Sequence, residues 1–328
     1  MRHFPPGIRA MAEILSDGDF HNGTEIGQQL GVSRTTVAKY AQKLNSVGLR
    51  VYAVKGRGYS ITRPIELLDP ELIQSKAGGN IEVFDVIDST NKYMLSRINS
   101  YQNGACILAE SQTKGVGRAN SAWISPFASQ AIISMYWHFP SIPTGLSLTI
   151  GLAAAKVLEY HGVNSIGLKW PNDIMSSGKK LAGILIEGTS GADGSFKAVI
   201  GAGINLLSSP LIDESSFEAS SADKHSDIPI SRNGIVCDLI ASFRKTLSEF
   251  SGEFSSFRDE WNSKDVYSGK EVTLSDKHSG VIIATGIERG IGNLGEIIIE
   301  DAQGVKTYHA GHLTLAKQHC QACQFHKK

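Results

Sequence analysis

Cysteine is scarce in this 328-residue chain: four residues, too few to staple a fold through a disulfide framework. No apolar run approaches the length needed to cross a bilayer. Met1 to Ala10 holds two prolines and no apolar segment, so nothing there resembles a secretory leader and none is expected. Net charge is missing as well. Thirty-two basic residues balance 32 acidic ones, so no global field draws the chain to nucleic acid or to a membrane. These absences leave a soluble cytoplasmic protein as the expectation, with room for two or three domains and a sizeable core.

One absence is local. Between Ile26 and Arg63 there is no acid, yet seven basic residues occur: Arg34, Lys39, Lys43, Arg50, Lys55, Arg57 and Arg63. That imbalance points to a small N-terminal module with an anionic partner. Ile8 to Leu15 has helical spacing of apolar residues. Asn22-Gly23-Thr24 offers a cap before Glu25 to Leu30, and Gly31 stops that helix. Ser33 caps a second helix, Arg34 to Val47, whose Val37, Ala41 and Leu44 face inward. Two strands, Leu49 to Val54 and Tyr59 to Thr62, flank the basic turn Lys55-Gly56-Arg57-Gly58 and make a wing. In this winged helix-turn-helix, Thr24, Ser33, Arg34, Thr35, Thr36, Lys39 and Tyr40 face a DNA groove or its phosphates, and Lys55 and Arg57 touch backbone. The plainer alternative is a helical adaptor whose basic face is solvated.

The most chemical stretch is Lys169-Trp170-Pro171-Asn172-Asp173-Ile174-Met175-Ser176-Ser177-Gly178-Lys179-Lys180-Leu181-Ala182-Gly183. It reads as one β-hairpin between strands Ile166 to Trp170 and Leu181 to Ile186. A nucleotide site would use ammonium groups for phosphate, an aromatic face for the base, and Asn and Asp for a hydrated magnesium ion. Upstream, strand Ile81 to Ile87 runs into Asp88-Ser89-Thr90-Asn91 and a helix through Ile98. Strand Ala105 to Glu110 runs into a polar loop from Ser111 to Asn120 with two glycines and two cations. Trp123-Ile124-Ser125-Pro126, strand Ala131 to Trp137 and a helix from Leu146 to Tyr160 follow. Strand Phe196 to Asn205 puts Gly201, Gly203 and Asn205 on one face, leaving room for a flat ligand on bare backbone. Close packing of a helix is the alternative there. A helix over Gly234 to Phe250, capped from Ser231, ends this region. Beyond it, strands Glu271 to Leu274, Val281 to Glu288, Gly295 to Glu300, Lys306 to His309 and Leu313 to Ala316 suggest a small closed barrel.

Taken in order, these motifs resemble the biotin–protein ligases, in particular the bacterial bifunctional form that doubles as the biotin operon repressor. The resemblance rests on the winged helix, Asp88-Ser89-Thr90-Asn91, Gln112, Gly115-x-Gly117-Arg118, Trp123-x-Ser125-Pro126, Lys169-Trp170-Pro171-Asn172-Asp173, Lys180-Leu181-Ala182-Gly183 and Gly201-Ala202-Gly203-Ile204-Asn205. It spans about residues 8 to 316. It implies a multidomain α+β protein. Residues 1–64 form the winged helix-turn-helix, and 65–268 a mixed-sheet catalytic domain of the biotin/lipoate ligase type. Residues 269–317 form an SH3-like β-barrel, and 318–328 a disordered tail. The tail's Cys320-x-x-Cys323 beside His319 and His326 is weak as a zinc site, and no metal ligands are assigned anywhere in the chain.

The resemblance further implies ATP-dependent formation of biotinyl-5′-AMP and transfer of biotin to a lysine of the biotin carboxyl carrier protein of acetyl-CoA carboxylase. Lys180, Arg118 and Lys169 are the implied catalytic cations. Ser89, Thr90, Asn91, Gln112, Gly115, Val116, Gly117, Arg118, Lys180, Gly183 and Gly203 would hold biotin. Trp123, Lys169, Asn172, Asp173 and Asn205 would hold ATP with Mg2+. The ligand-bound chain would dimerise on two-fold operator DNA. The family's glycine-rich loop is usually richer in arginine and ends in glycine; here Val116, Ala119 and Asn120 stand at those places, and Arg118 keeps the central cation. The rival readings are a ligase with a vestigial DNA-binding domain, a non-catalytic biotin-sensing repressor, and a lipoate-ligase or octanoyl-transferase relative.

Overall fold

The start and stop signals of the N-terminal module act as expected. The computed structural model of the protein describes residues 3–215, 219–251 and 254–316; the Cys/His tail lies outside them. Helix α1 spans Pro6–Ile14 with proline in its first turn. In α2, Gly23–Leu30, the Asn22 side chain accepts the Thr24 N–H at 2.8 Å, and Gly31 ends the helix at φ 65°. Ser33 accepts the Thr36 N–H at 3.2 Å at the start of α3, Arg34–Ser46. Each such cap stabilises its helix by about 1 kcal/mol. Strands β1, Val51–Val54, and β2, Gly58–Ile61, form the antiparallel wing. A Cβ on Gly58 would stand 2.0 Å from the His21 carbonyl oxygen, so only glycine lets the wing close on the preceding turn.

This module packs on the rest of the chain. Phe4, Met11, Leu15, Ile26, Val37 and Leu44 share one apolar cluster with Val86, Phe127 and Ala128. Arg9 pairs with Asp85 at 2.7 Å, and the Phe127 N–H donates to the Val47 carbonyl at 2.9 Å. The connecting segment is tied by buried polar groups. Glu110 accepts from the Leu68 N–H at 2.5 Å and from the guanidinium of Arg232 at 2.9 Å, with both Glu110 and Arg232 fully buried.

The central region adds α4 (Pro70–Ala77), β3 (Ile81–Ile87), α5 (Thr90–Leu95), β4 (Cys106–Gln112), β5 (Gln130–Phe139) and α6 (Leu146–Tyr160). It continues with β6 (Ile166–Lys169), β7 (Asp173–Ser176), β8 (Lys179–Ser190), β9 (Phe196–Asn205), α7 (Pro210–Ser215), α8 (Arg232–Glu249) and α9 (Arg258–Ser263). Its seven strands form one mixed sheet in the order β3-β4-β5-β9-β8-β7-β6, in which only β3 and β4 run parallel. Helices α6 and α8 bury one face, with Leu152, Leu158, Ile240 and Phe243 inside. On the other face Met94 of α5 meets Ile107, Ile132 and Val199.

The expected single hairpin over 169–183 is corrected to three strands with two turns. Asp173-Ile174-Met175-Ser176 is a strand of its own, paired with β6 and β8. Its four residues alternate too briefly to show a period, and the nearby Pro171 and Gly178 make the whole stretch read as turn.

The C-terminal strands β10 (Glu271–Ser275), β11 (Ile282–Ile291), β12 (Ile297–Asp301), β13 (Gly304–Tyr308) and β14 (His312–Leu315) pair in the order β13-β12-β11-β10-β14. The expected closed barrel is corrected to an open sheet, because no ladder joins β13 to β14 among the described residues. The sheet nevertheless curls strongly. Tyr308 and His312 are four residue steps apart and reach at most roughly 14 Å. Four interstrand spacings in a flat sheet would need roughly 19 Å.

Among the described residues no helix is long and apolar enough to cross a membrane. The C-terminal sheet is fastened to the central one beside β6. The Leu168 N–H donates to the Lys264 carbonyl at 2.8 Å, the Val266 N–H donates back to Leu168 at 3.0 Å, and the Trp170 indole N–H donates to the Gly295 carbonyl at 3.0 Å. At this seam the buried carboxyls of Glu288 and Asp265 face each other. Burial, reinforced by Asp265, pushes Glu288 up to about 8, and burial raises Asp265 as well. A native value above the unfolded one means stability that is complete at acid pH and declines as pH rises from about 4.5 through about 8. Glu288→Gln keeps an acceptor for the Gly290 N–H and cannot ionise. Thermal melts from pH 5 to 9 are expected to show a wild-type midpoint that falls between about pH 5 and about 8 and levels off above that, and a flatter profile for Glu288→Gln.

Candidate functional site

A cleft of about 450 Å³ opens where α5, the loop after β4, strands β6 to β9 and the C-terminal sheet meet. All the residues expected in the catalytic, biotin and ATP sets line it except Gly115, which shapes the loop by accepting the Trp123 N–H at 2.9 Å. Each wall follows from local sequence. Ser89 caps α5, so Thr90 and Asn91 sit buried in the first turn. The Thr90 N–H donates to Gln112 Oε1 at 2.9 Å, and Gln112 Nε2 reaches Ser125 at 3.3 Å.

The loop from Gly115 closes on itself through the Gly117 N–H and the Ser121 carbonyl at 2.7 Å. Ala119 and Asn120 there hold φ of 54° and 57°, the left-handed region. Asparagine tolerates it, whereas alanine carries about 1–2 kcal/mol of strain that a glycine would not.

Cations dominate the cleft. Lys180 Nζ lies 2.6 Å from Asp173 Oδ1, in ion-pair contact without hydrogen-bond alignment, and 5.7 Å from the centre of the Trp123 ring. Arg118 Nη1 is 3.4 Å from Asn172 Oδ1 and 3.4 Å from the Gly311 carbonyl oxygen. Burial pushes the Arg118 guanidinium below its ordinary value against the pull of Asp173. Lys169 is almost buried, its ammonium 5.4 Å from the Tyr267 ring centre.

Two further groups, absent from the sequence-based set, enter from the C-terminal sheet: Lys277 and His312. Lys277 donates to the Arg118 carbonyl at 2.8 Å. Its own value is lowered by burial and then by Arg118 and Lys180. Burial, then Lys169 and Lys277, lower His312 too. Five basic groups thus surround one carboxylate, Asp173, the only acid among the described lining residues. An isolated Lys in a β-turn and a His opening a short strand carry no pattern that sequence alone could flag.

Three expectations change in detail. Gly183 and Gly203 are cross-strand partners on β8 and β9, and the surface they leave bare is covered by the Trp123 indole. The flat group on that backbone is therefore this protein's own tryptophan, whose Nε1–H donates to Gln130 at 3.3 Å. Trp170, expected to offer an aromatic face, is only 2% exposed and is committed to Gly295. Asn205 spends its amide on Ser220 and accepts from Gln130 at 2.6 Å, so it holds the wall of the cleft.

In the N-terminal module Thr24, Ser33, Arg34, Thr35, Lys39, Lys55 and Arg57 are exposed, and Thr36 is half-buried. Arg57 stacks over Phe20 at 3.9 Å. Tyr40 departs from its expected outward role, since its ring packs against Gly7 and the module's core.

A seven-stranded mixed sheet carrying a cationic cleft, preceded by a helix-turn-helix, defines a two-part protein: an acid-activating ligase joined to a DNA-binding module. Residues 83–205 match the biotin/lipoate A/B protein ligase family, and residues 8–60 match a helix-turn-helix domain. The bifunctional ligase/repressor BirA of Salmonella typhimurium is 36% identical over 93% of this chain and 96% of its own length. That of Escherichia coli is 34% identical over 92% and 95%. Among solved structures, the biotin protein ligase from Aquifex aeolicus in complex with biotin and ATP aligns with TM-score 0.63 and 25% identity, covering 72% of this chain and 99% of that one. The chain belongs to the family of bifunctional biotin ligase/repressors.

The glycine floor yields a test. A Cβ on Gly203 would lie 2.6 Å from the Trp123 ring, so Gly203→Ala must displace the indole while leaving a residue that β9 tolerates. Acrylamide quenching, read against Trp123→Phe to isolate that residue, is expected to show a more accessible Trp123 in Gly203→Ala.

Proposed function

We infer that this protein is an ATP-dependent biotin–protein ligase that makes biotinyl-5′-AMP, passes biotin to a lysine of a biotin carboxyl carrier protein, and represses transcription through its helix-turn-helix. The observation that carries the chemistry is the cluster of Lys169, Lys180, Arg118, Lys277 and His312 around Asp173. Attack of a carboxylate on a polyphosphate brings two anions together, and only convergent cations in a partly dehydrated cleft make that approach favourable. The biotin carboxylate oxygen attacks the α-phosphorus of ATP. The bond to the bridging oxygen breaks and pyrophosphate leaves with that electron pair. In the second step a carrier lysine amine attacks the acyl carbon, an amide forms, AMP departs, and the amine proton passes to solvent or a nearby base.

Lys180 and Arg118 are assigned to hold carboxylate and α-phosphate together, and Lys169 to neutralise further phosphate charge. Ser89, Thr90, Asn91 and Gln112 take the ureido end, and the loop Gly115-Val116-Gly117-Arg118 covers the reactive anhydride against water. Trp123, lying over Gly183 and Gly203, offers its outer face to the adenine; Asn172 and Asp173 lie along phosphate and ribose, and Asn205 braces the wall behind them. Among the described residues no three acidic, His or Cys side chains gather as a metal site. Magnesium fits as a companion of the nucleotide, with Asn172 and Asp173 as its protein partners and phosphate charge neutralisation as its contribution.

We assign residues 1–64 to the DNA-binding domain, 65–268 to the catalytic domain and 269–317 to an SH3-like domain, the curled open sheet supporting the last. Exposed Arg34, Lys39, Lys55 and Arg57 support phosphate contact by the module, and a two-fold operator calls for a ligand-promoted homodimer. Carrier protein and operator together make the protein cytoplasmic.

Lys180→Ala is expected to lower adenylate synthesis by about two to three orders of magnitude while keeping a cooperative melt. A near-normal rate in a folded variant would refute the assignment. Arg118→Gly removes the loop's cation, and bystander protein lysines are expected to become biotinylated as adenylate escapes; blotting with and without carrier protein reads this directly. Operator affinity by fluorescence anisotropy is expected to rise when biotin and ATP are both present, and equal affinities would contradict the repressor half.

A further inference from the structure

Two side chains that do not line the cleft control one that does. Ser134 is fully buried on β5, directly opposite Gly201 of β9, and Glu187 lies on β8. Asn91 bridges them: its Nδ2 group donates to Glu187 Oε2 at 2.8 Å and to the Leu185 carbonyl at 3.4 Å, and its Oδ1 lies 2.5 Å from Ser134 Oγ. Ser134 Oγ also lies 2.7 Å from Thr90 Oγ1. A Cβ on Gly201 would be 2.5 Å from Asn91 Oδ1, so the bare backbone is what admits the amide here.

The protons in this cluster have one consistent arrangement. Two acceptors, Glu187 and Leu185, hold the Asn91 amide with its nitrogen toward them and its oxygen toward Ser134. An amide oxygen only accepts, so the single Ser134 proton is spent on Asn91. The short contact to Thr90 is then a bond only if the Thr90 hydroxyl donates to Ser134. The alternative, donation by Thr90 to Gln112 Oε1 at 3.2 Å, would leave two lone pairs opposed across 2.7 Å. Gln112 Oε1 already accepts the Thr90 N–H at 2.9 Å. Thr90 therefore presents lone pairs alone to the cleft.

We propose that Glu187 and Ser134 are positioning residues that make Thr90 an obligate acceptor, so that this end of the cleft selects a ring N–H, as in a cyclic urea, over an acid whose ring or chain end carries no donor. The inference rests on the reading of Thr90 and Gln112 as the ureido end. A dithiolane or an alkyl chain would leave the buried Thr90 oxygen unpaired, a penalty of roughly tenfold to a hundredfold in affinity. Ser134→Ala frees the Thr90 proton to rotate toward the ligand and abolishes that polarity without touching the ligand itself.

The test is biotin-dependent ATP–pyrophosphate exchange by the full chain, with KM and kcat determined for the wild type, Ser134→Ala, Thr90→Val, their double variant, Glu187→Ala and Glu187→Gln. Ser134→Ala is expected to raise the biotin KM about tenfold, with kcat lowered less than about threefold. The double variant is expected to be no worse than Thr90→Val within about threefold, since both act through one bond. Glu187→Ala is expected to raise KM, and Glu187→Gln, which keeps an acceptor for Asn91, to restore it. Biotin methylated on either ureido nitrogen extends the test. The wild type is expected to reject one of the two analogues, and Ser134→Ala to discriminate less. An unchanged KM in folded Ser134→Ala, or effects that multiply in the double variant, would overturn the inference and leave the ligase reading intact. Absence of biotin-dependent exchange in the wild type would instead remove the reading on which it rests.

Discussion

Unbalanced charge in a semi-enclosed cleft is the constraint on which the functional architecture depends. Like charges held together away from bulk water repel, and a single carboxylate, Asp173, cannot neutralise Lys169, Lys180, Arg118 and Lys277. The lowered value of Lys277 records part of this repulsion, burial being the larger cause and Arg118 and Lys180 the smaller ones, whereas Arg118 is lowered by burial alone against the pull of Asp173. The fold tolerates this because the charges arrive from three separate pieces. Strands β6 to β8 supply Lys169, Asp173 and Lys180, the loop after β4 supplies Arg118, and the C-terminal sheet supplies Lys277 and His312. A polyphosphate bearing an attacking carboxylate is the ligand that relieves the repulsion, so binding and activation draw on the same charges.

The N-terminal module is joined to that cleft by a short stretch of chain. Trp123 lies in the cleft, whereas Phe127 and Ala128, four and five residues on, are part of the module's apolar cluster, and the Phe127 N–H is bonded to Val47 at the end of α3. Gly48 sits at φ 91°, and a Cβ there would meet Pro126 at 3.1 Å. The Trp123 segment is thus in direct contact with the C-terminal end of α3.

Much of this was legible in the sequence where local signals are strong. The caps at Asn22 and Ser33, the helix Leu146–Tyr160 and the strands Ile81–Ile87 and Phe196–Asn205 all follow from capping chemistry and periodicity. Sequence reading failed where tertiary context decides. Asp173–Ser176 is too short to show its period as a strand. Barrel closure depends on whether two edges pair, a fact no strand carries within itself. The bare backbone expected at Gly201 and Gly203 reads as room for a flat ligand, but Asn91 fills the space at Gly201 and the Trp123 indole fills that at Gly203, contacts between segments that no local pattern encodes. Ser134 and Glu187 were invisible because a buried serine and a strand glutamate are unremarkable until Asn91 is seen between them.

The most direct test of the central claim is ATP–pyrophosphate exchange by the purified chain with biotin, lipoate, octanoate or no acid. Exchange that requires biotin and is negligible with the other acids is the predicted result. Exchange with lipoate or octanoate at a comparable rate, or none with biotin under conditions where biotin is bound, would contradict it.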